Sequence, residues 1–155
     1  MKLSQQDQER FIGLAMEQAE LAIRQADEPF GLVLVDEKGD VIAAAHNTAY
    51  SARDMLAHAE MNLIKKVYAE RGRSGFAGCS AFINAASCTM CAAALIRAGV
   101  QDFYYGASFE LHMNPMLSYK QLASYTKRPI TVHGGILADE CLAQIERGRK
   151  NEARP

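Results

Sequence analysis

Apolar positions recur at helical spacing near the start of the chain, where Phe11, Leu14, Ala15, Met16, Leu21 and Ala22 are set among Gln and Glu. That period predicts an amphipathic helix over residues 4–25, with Ser4 placed to cap it and Pro29 to end it. The pattern then changes. Residues 30–35 form an unbroken apolar run of strand length and predict a buried strand. Asp36-Glu37-Lys38-Gly39-Asp40 reads as a hairpin turn, and the chain returns through residues 41–47. A polar connection over 51–56 leads into a helix from about residue 57, in which Met61, Leu63, Ile64 and Val67 face a sheet while Lys65, Lys66, Glu70 and Arg71 stay solvated.

The alternation continues to the end. A loop over 72–78 precedes a third strand over 79–84, and a helix over 87–98 is closed by Gly99. A fourth strand is expected over 101–106, a helix over 114–125, a fifth strand over 129–132 and a last helix over 138–149. Strand, helix and strand at this spacing make the fourth and fifth strands parallel. The expected architecture is α/β: a five-stranded mixed sheet with helices on both faces, in three layers. One domain is expected over residues 1–150, with 151–155 as a frayed tail, most of which lies outside the described residues.

Composition narrows the partners. The 155 residues are 49% hydrophobic, enough for a single core, and the formal net charge of −1 gives no electrostatic reason to expect a polyanion, so nucleic acid is not an expected partner. No apolar run is long enough to span a bilayer and the first residues are polar rather than a signal sequence, so the expected location is cytoplasmic, away from membranes. Four cysteines suit two disulfides in a secreted protein. Two of them sit in Cys88-Thr89-Met90-Cys91, a spacing that favours metal in a chain of this kind.

His58-Ala59-Glu60 gives that pair its meaning. One imidazole and two thiolates supply three ligands of a tetrahedral Zn²⁺ and leave the fourth position open, which is the arithmetic of a catalytic site. Cys79 lies outside the tight pair and reads as a buried thiol without chemistry; Cys141 is near the other end of the chain. A Cys-x-x-Cys by itself also fits a redox pair, and it is the preceding His-x-Glu that turns the reading toward zinc. Glu60 is close enough to reach a nucleophilic water and carry its proton. A helix starting near Ser87, with that serine as N-cap, presents Cys88 and Cys91 on one side.

The His-x-Glu followed by Cys-x-x-Cys resembles the signature of the zinc-dependent cytidine-deaminase superfamily. From Pro29-Phe30-Gly31 through the metal motifs to Gly134-Gly135 the chain is similar to the branch containing bacterial guanine deaminase, yeast-type cytosine deaminase and tRNA adenosine deaminases. The resemblance implies a cytidine-deaminase-like fold, hydrolytic deamination, Zn²⁺ as cofactor and a homodimer. It implies His58, Cys88 and Cys91 as metal ligands and Glu60 as the proton carrier. It further implies that Asn47 touches substrate, where the alternative is a polar cap on a strand end, and that Phe30 packs against the ring. Glu110 matches an acidic residue that reads an amino group and ring N–H in guanine-deaminase relatives; a solvated loop carboxylate is the other reading. His46 is taken as structural or exposed, and His112 as an ordinary loop histidine.

One departure stands out. The family places Pro before the first Cys, often preceded by Glu, and this chain has Ala86-Ser87. No ligand is lost, so metal binding is expected to survive, while turnover of the usual substrates is put in question. The expected substrate is a small molecule, a free guanine-like base or a related aminated heterocycle. The alternatives are cytosine, tRNA adenosine, or a zinc-stabilised scaffold without turnover.

Overall fold

A computed structural model describes residues 3–108 and 117–151. Helix α1 (Gln5–Arg24) is capped by Ser4, whose hydroxyl accepts from the Asp7 N–H at 3.1 Å, and it buries Phe11, Ile12, Ala15, Ala19, Ala22 and Ile23. It stops before Pro29 can act. Ala26 adopts a left-handed φ of 59°, and the N–H groups of Gln25 and Ala26 fold back on the carbonyls of Ala22 and Ile23. Pro29 therefore feeds strand β1 (Gly31–Val35) rather than ending the helix.

The hairpin to β2 (Val41–His46) forms as its turn chemistry predicts: Asp36 Oδ1 accepts from the N–H groups of Lys38 and Asp40. Next come α2 (Ala59–Arg71), β3 (Ser80–Ala85), α3 (Thr89–Ala98) and β4 (Asp102–Ala107). The stretch expected to be a plain loop before β3 contains a 3₁₀ turn, Arg73–Phe76, that buries Phe76. Helix α4 (Tyr119–Ala123) starts at a reciprocal capping box between Ser118 and Gln121, inside the expected 114–125 span, whose first residues are not described. Strand β5 is short (Thr131–His133) and α5 occupies Ala138–Arg149 as expected. Pro129 lacks an N–H for the ladder, which fits the later start of β5.

The sheet order is β2-β1-β3-β4-β5; β1 is antiparallel to β2 and to β3, whereas β3, β4 and β5 run parallel. Every residue of β1 and β3 is buried, as expected for strands covered on both faces. Their side chains alternate between two cores. Leu32, Leu34, Ala81 and Ile83 join Leu63, Val67, Ala92 and Leu95 from α2 and α3. Val33, Val35 and Phe82 join Phe11 and Ile12 from α1 and Cys141 and Ile145 from α5. This is the three-layer α/β/α arrangement. At Gly31, a Cβ would overlap backbone atoms of Ala15 and Ala19, so α1 rests directly on the start of β1.

Asn84 pins that start from the neighbouring strand. It is fully buried; its Oδ1 accepts from Gly31 N–H at 3.0 Å and its Nδ2 donates to the Pro29 carbonyl at 2.9 Å. Replacing it with Ala strands one buried donor and one buried acceptor, each costing about 1–3 kcal/mol. Asn84→Ala is therefore expected to destabilise the protein by about 2–5 kcal/mol, read as a lowered urea midpoint at unchanged m-value.

Candidate active site

Because β1 is antiparallel to both β2 and β3, those two strands point the same way and leave the sheet at one edge. The chain after β2 reaches α2, the chain after β3 reaches α3, and both helices begin at that edge. His58 is the N-cap of α2 (φ −66°, ψ 156°) and Cys88 the N-cap of α3 (φ −63°, ψ 164°). Neither side chain makes a capping hydrogen bond, so both heads are available as ligands. The helices thus begin at Ala59 and Thr89, two residues later than the sequence pattern suggests. Cys91 lies one turn into α3 and is fully buried.

The three heads converge. His58 Nδ1 is 3.7 Å from Cys88 Sγ and 3.4 Å from Cys91 Sγ, and all three ligand atoms lie within 4.8 Å of one another. Tetrahedral zinc with ordinary Zn–S and Zn–N lengths needs N···S separations of about 3.6 Å. The observed pair brackets that value, so the residues present fit the ion, with Nδ1 as the ligating nitrogen. Without metal the protons are shared unequally. Cys88 is pulled down to about 4 by the hydrogen bond from Cys91 and then by His58; Cys91 is pushed up by Cys88 and by burial. His58 is raised, chiefly by its bond to Cys88, against the opposing effect of burial.

Glu60 stands in the first turn of α2 and is only 6% exposed. Its Oε1 accepts from the hydroxyl of Ser87 at 2.6 Å. Ser87 therefore does not cap α3 as its position in the sequence suggests; a carboxylate on another helix takes its hydroxyl, and its N–H donates to the phenol oxygen of Tyr119 at 3.0 Å. Tyr119, buried at the start of α4, packs its ring 4.9 Å from that of Phe103.

Glu60, His58 and Cys88 open into a cavity of about 530 Å³ whose walls include Asn47 and Phe30. Asn47 follows the end of β2 and is buried; its Oδ1 accepts from Ala49 N–H at 2.9 Å, which fixes the carboxamide and turns its donor end the other way. Phe30 lies just before β1, with the Arg149 guanidinium 5.4 Å from its ring centre. The rim carries both signs: Glu28 and Asp54, Arg53 and Arg149. Glu110 and His112 lie outside the described residues. His46 is half-buried beside Gln25, Cys79 sits in the core under α2 and α3, and Cys141 in the core under α1 and α5.

Two further residues escape a reading of motifs. Asp27, fully buried, accepts from the N–H groups of Tyr50 and Ser51 and from the Ser51 hydroxyl. Asn62 donates from α2 to the carbonyls of His46 and Ala57 and to the Thr48 hydroxyl. Both hold the connection that carries the chain from Asn47 to His58. Neither carries a local cue: the partners of Asp27 lie 23–24 residues away.

Comparison with known proteins agrees with this geometry. Residues 5–107 match the model of the cytidine and deoxycytidylate deaminase zinc-binding region. A tRNA-specific adenosine deaminase of Aquifex aeolicus is 30% identical over 104 residues, covering 67% of this chain and 68% of that one. A solved tRNA:A34 deaminase is similar at a TM-score of 0.76 and 29% identity, over 87% of this chain and 98% of that one. The guanine deaminase of Nitrosomonas europaea shares the fold at a TM-score of 0.81 and 23% identity, over 92% of this chain and 85% of that one.

Zinc needs an unprotonated His58 and two thiolates. His58 and Cys91 are raised while Cys88 is lowered to about 4, so protons compete with the ion chiefly at the first two. Affinity should therefore fall as pH falls, with protons released on zinc binding. Competition with a chromophoric chelator at several pH values checks the slope, and titration calorimetry in buffers of different ionisation enthalpy checks the release.

Proposed function

The chain belongs to the cytidine and deoxycytidylate deaminase zinc-binding family, and we propose that its pocket removes the exocyclic amine of a free purine-type base or related aminated heterocycle by hydrolysis. The observation that carries this reading is the buried carboxylate of Glu60 beside the three convergent ligands, facing the cavity. A zinc ion held by His58, Cys88 and Cys91 would supply the Lewis acidity that makes water a nucleophile at neutral pH. Glu60 takes a proton from the attacking water. It gives that proton to the ring nitrogen, then takes the second proton from the new C–O–H and gives it to the departing amine, so that a ring C=O forms and ammonia leaves. Asn47 grips the ring edge and Phe30 packs against its face.

The mixed charge of the rim supports a small substrate, because binding a polyanion relies on a cationic surface. A second reading, deamination of an adenosine in tRNA, is favoured by the relatives at about 30% identity. Homodimer pairing across the outer face of α2 and α3 is supported by Tyr68, 60% exposed, next to a shallow apolar hollow that includes Ile64 and Ala94. No helix among the described residues is long and apolar enough to cross a membrane.

The test is ammonia release across guanine, isocytosine, cytosine, adenine and triazine amines, beside a tRNA anticodon stem-loop at two salt concentrations. Turnover of a free base and none of the stem-loop is the expected result; salt-sensitive turnover of the stem-loop alone would favour the second reading. Glu60→Gln should lower kcat by about 10²–10⁴-fold while zinc stoichiometry stays at one per chain. A protein that shows no turnover of any of these substrates, with or without Glu60, is a zinc-stabilised scaffold.

A further inference from the structure

The residue before the first metal-ligating cysteine makes two buried hydrogen bonds that a proline there could not make. Ser87 is 1% exposed. Its hydroxyl donates to Glu60 Oε1 at 2.6 Å across a sequence separation of 27, and its N–H donates to the Tyr119 phenol across 32. Tyr119 is itself locked: it is 1% exposed, lies between the rings of Phe103 and Tyr105, and belongs to a helix whose approach is tied to α3 by the Leu117 N–H bond to Thr89 Oγ1 at 2.7 Å. Phenol, serine and carboxylate thus form a line leading from α4, through the start of α3, to the first turn of α2.

We propose that Ser87 is a positioning residue for Glu60: it holds Oε1 and thereby leaves Oε2 to carry protons between water and substrate, with Tyr119 fixing the serine. This rests on the deaminase reading above. A carboxylate on a three-torsion side chain has two equivalent oxygens and several rotamers, and proton transfer succeeds only within hydrogen-bond reach of the reacting atoms. An O–H···O⁻ bond of this length is charge-assisted and buried, so it both selects the rotamer and makes the two oxygens unequal. Alanine at 87 would remove this restraint and leave the Glu60 carboxylate, among the described residues, only its contact with Cys91. Threonine would keep the hydroxyl.

The experiment has one arm that needs no turnover. In metal-free protein, the infrared carboxylate band assigned to Glu60 by its loss in Glu60→Gln should shift in Ser87→Ala and return toward its original position in Ser87→Thr. In the zinc-loaded enzyme, with whichever base is turned over, Ser87→Ala should lower kcat about tenfold or more, since small misplacements of a reacting group are costly, while KM changes less than twofold. Tyr119→Phe should act in the same direction and less strongly. In the Glu60→Gln background, Ser87→Ala should have no further effect, because the group it positions is gone.

An unshifted band, or a kcat within twofold of the parent in Ser87→Ala, overturns the proposal even where Glu60→Gln is inactive. Loss of zinc or of the folded state in Ser87→Ala also overturns it, since the serine would then be a structural residue. If Glu60→Gln itself retains full turnover, the deaminase assignment of Glu60 fails, which is a separate outcome.

Discussion

The structure is governed by two helix starts that meet at one sheet edge. Each helix N-terminus carries unsatisfied N–H groups and a partial positive charge, and here the two are brought together around two thiols, one imidazole and one carboxylate. Anions buried this deeply are costly unless something opposes them. The helix ends offset part of that cost and a divalent ion offsets most of the rest, which is why the same few residues that define the chemistry also define how the edge is folded. The strand directions leave little choice in the matter. With β1 antiparallel to both neighbours, the segments after β2 and β3 must both start from this edge.

Most buried polar side chains among the described residues follow the same geography, Ser80 and Gln144 excepted. Asp27, Asn47, Glu60, Asn84 and Ser87 are all nearly or wholly buried and lie around this edge. Each satisfies backbone or side-chain groups that no ladder or helix can satisfy where strands give way to loops. The cores on the two faces of the sheet contain almost nothing but apolar groups, so they supply burial without direction. Direction at the site comes from hydrogen bonds, and a loop such as the one Asp27 and Asn62 hold is as rigid as those bonds make it.

The sequence was legible wherever one element decides the outcome locally. Period and turn chemistry placed the helices and strands, and the spacing His58-x-Glu60 with Cys88-x-x-Cys91 picked out three side chains that converge in the fold, because ligand type and separation are themselves chemical requirements. Local rules misled where a distant partner overrode them. Ser87 before a helix reads as a cap, yet a carboxylate 27 positions earlier takes its hydroxyl. Pro29 reads as a helix stop, yet Ala26 had already closed the turn. Tyr119 carried no signal, since an aromatic on an amphipathic helix reads as packing, and only the tertiary fold brings its oxygen to the backbone of Ser87.

The division between chemistry and recognition also has a physical basis. His58, Glu60, Cys88, Cys91, Asn47 and Ser87 all fall within residues 5–107, on elements braced by the sheet. Arg149 comes from the last turn of α5, reaches the same cavity, lies over Phe30 and sits 3.5 Å from Glu28 Oε2 through its Nε. Metal ligation and proton transfer tolerate little displacement, so their residues are held by strand ends and helix caps. Recognition of a ring depends instead on which charges and aromatic faces line the outer wall, and a change in one terminal helix alters that wall without moving a ligand. Deaminases of different substrates can therefore share one metal edge, and in this chain the wall of the cavity away from the cysteines includes Glu28, Phe30 and Arg149.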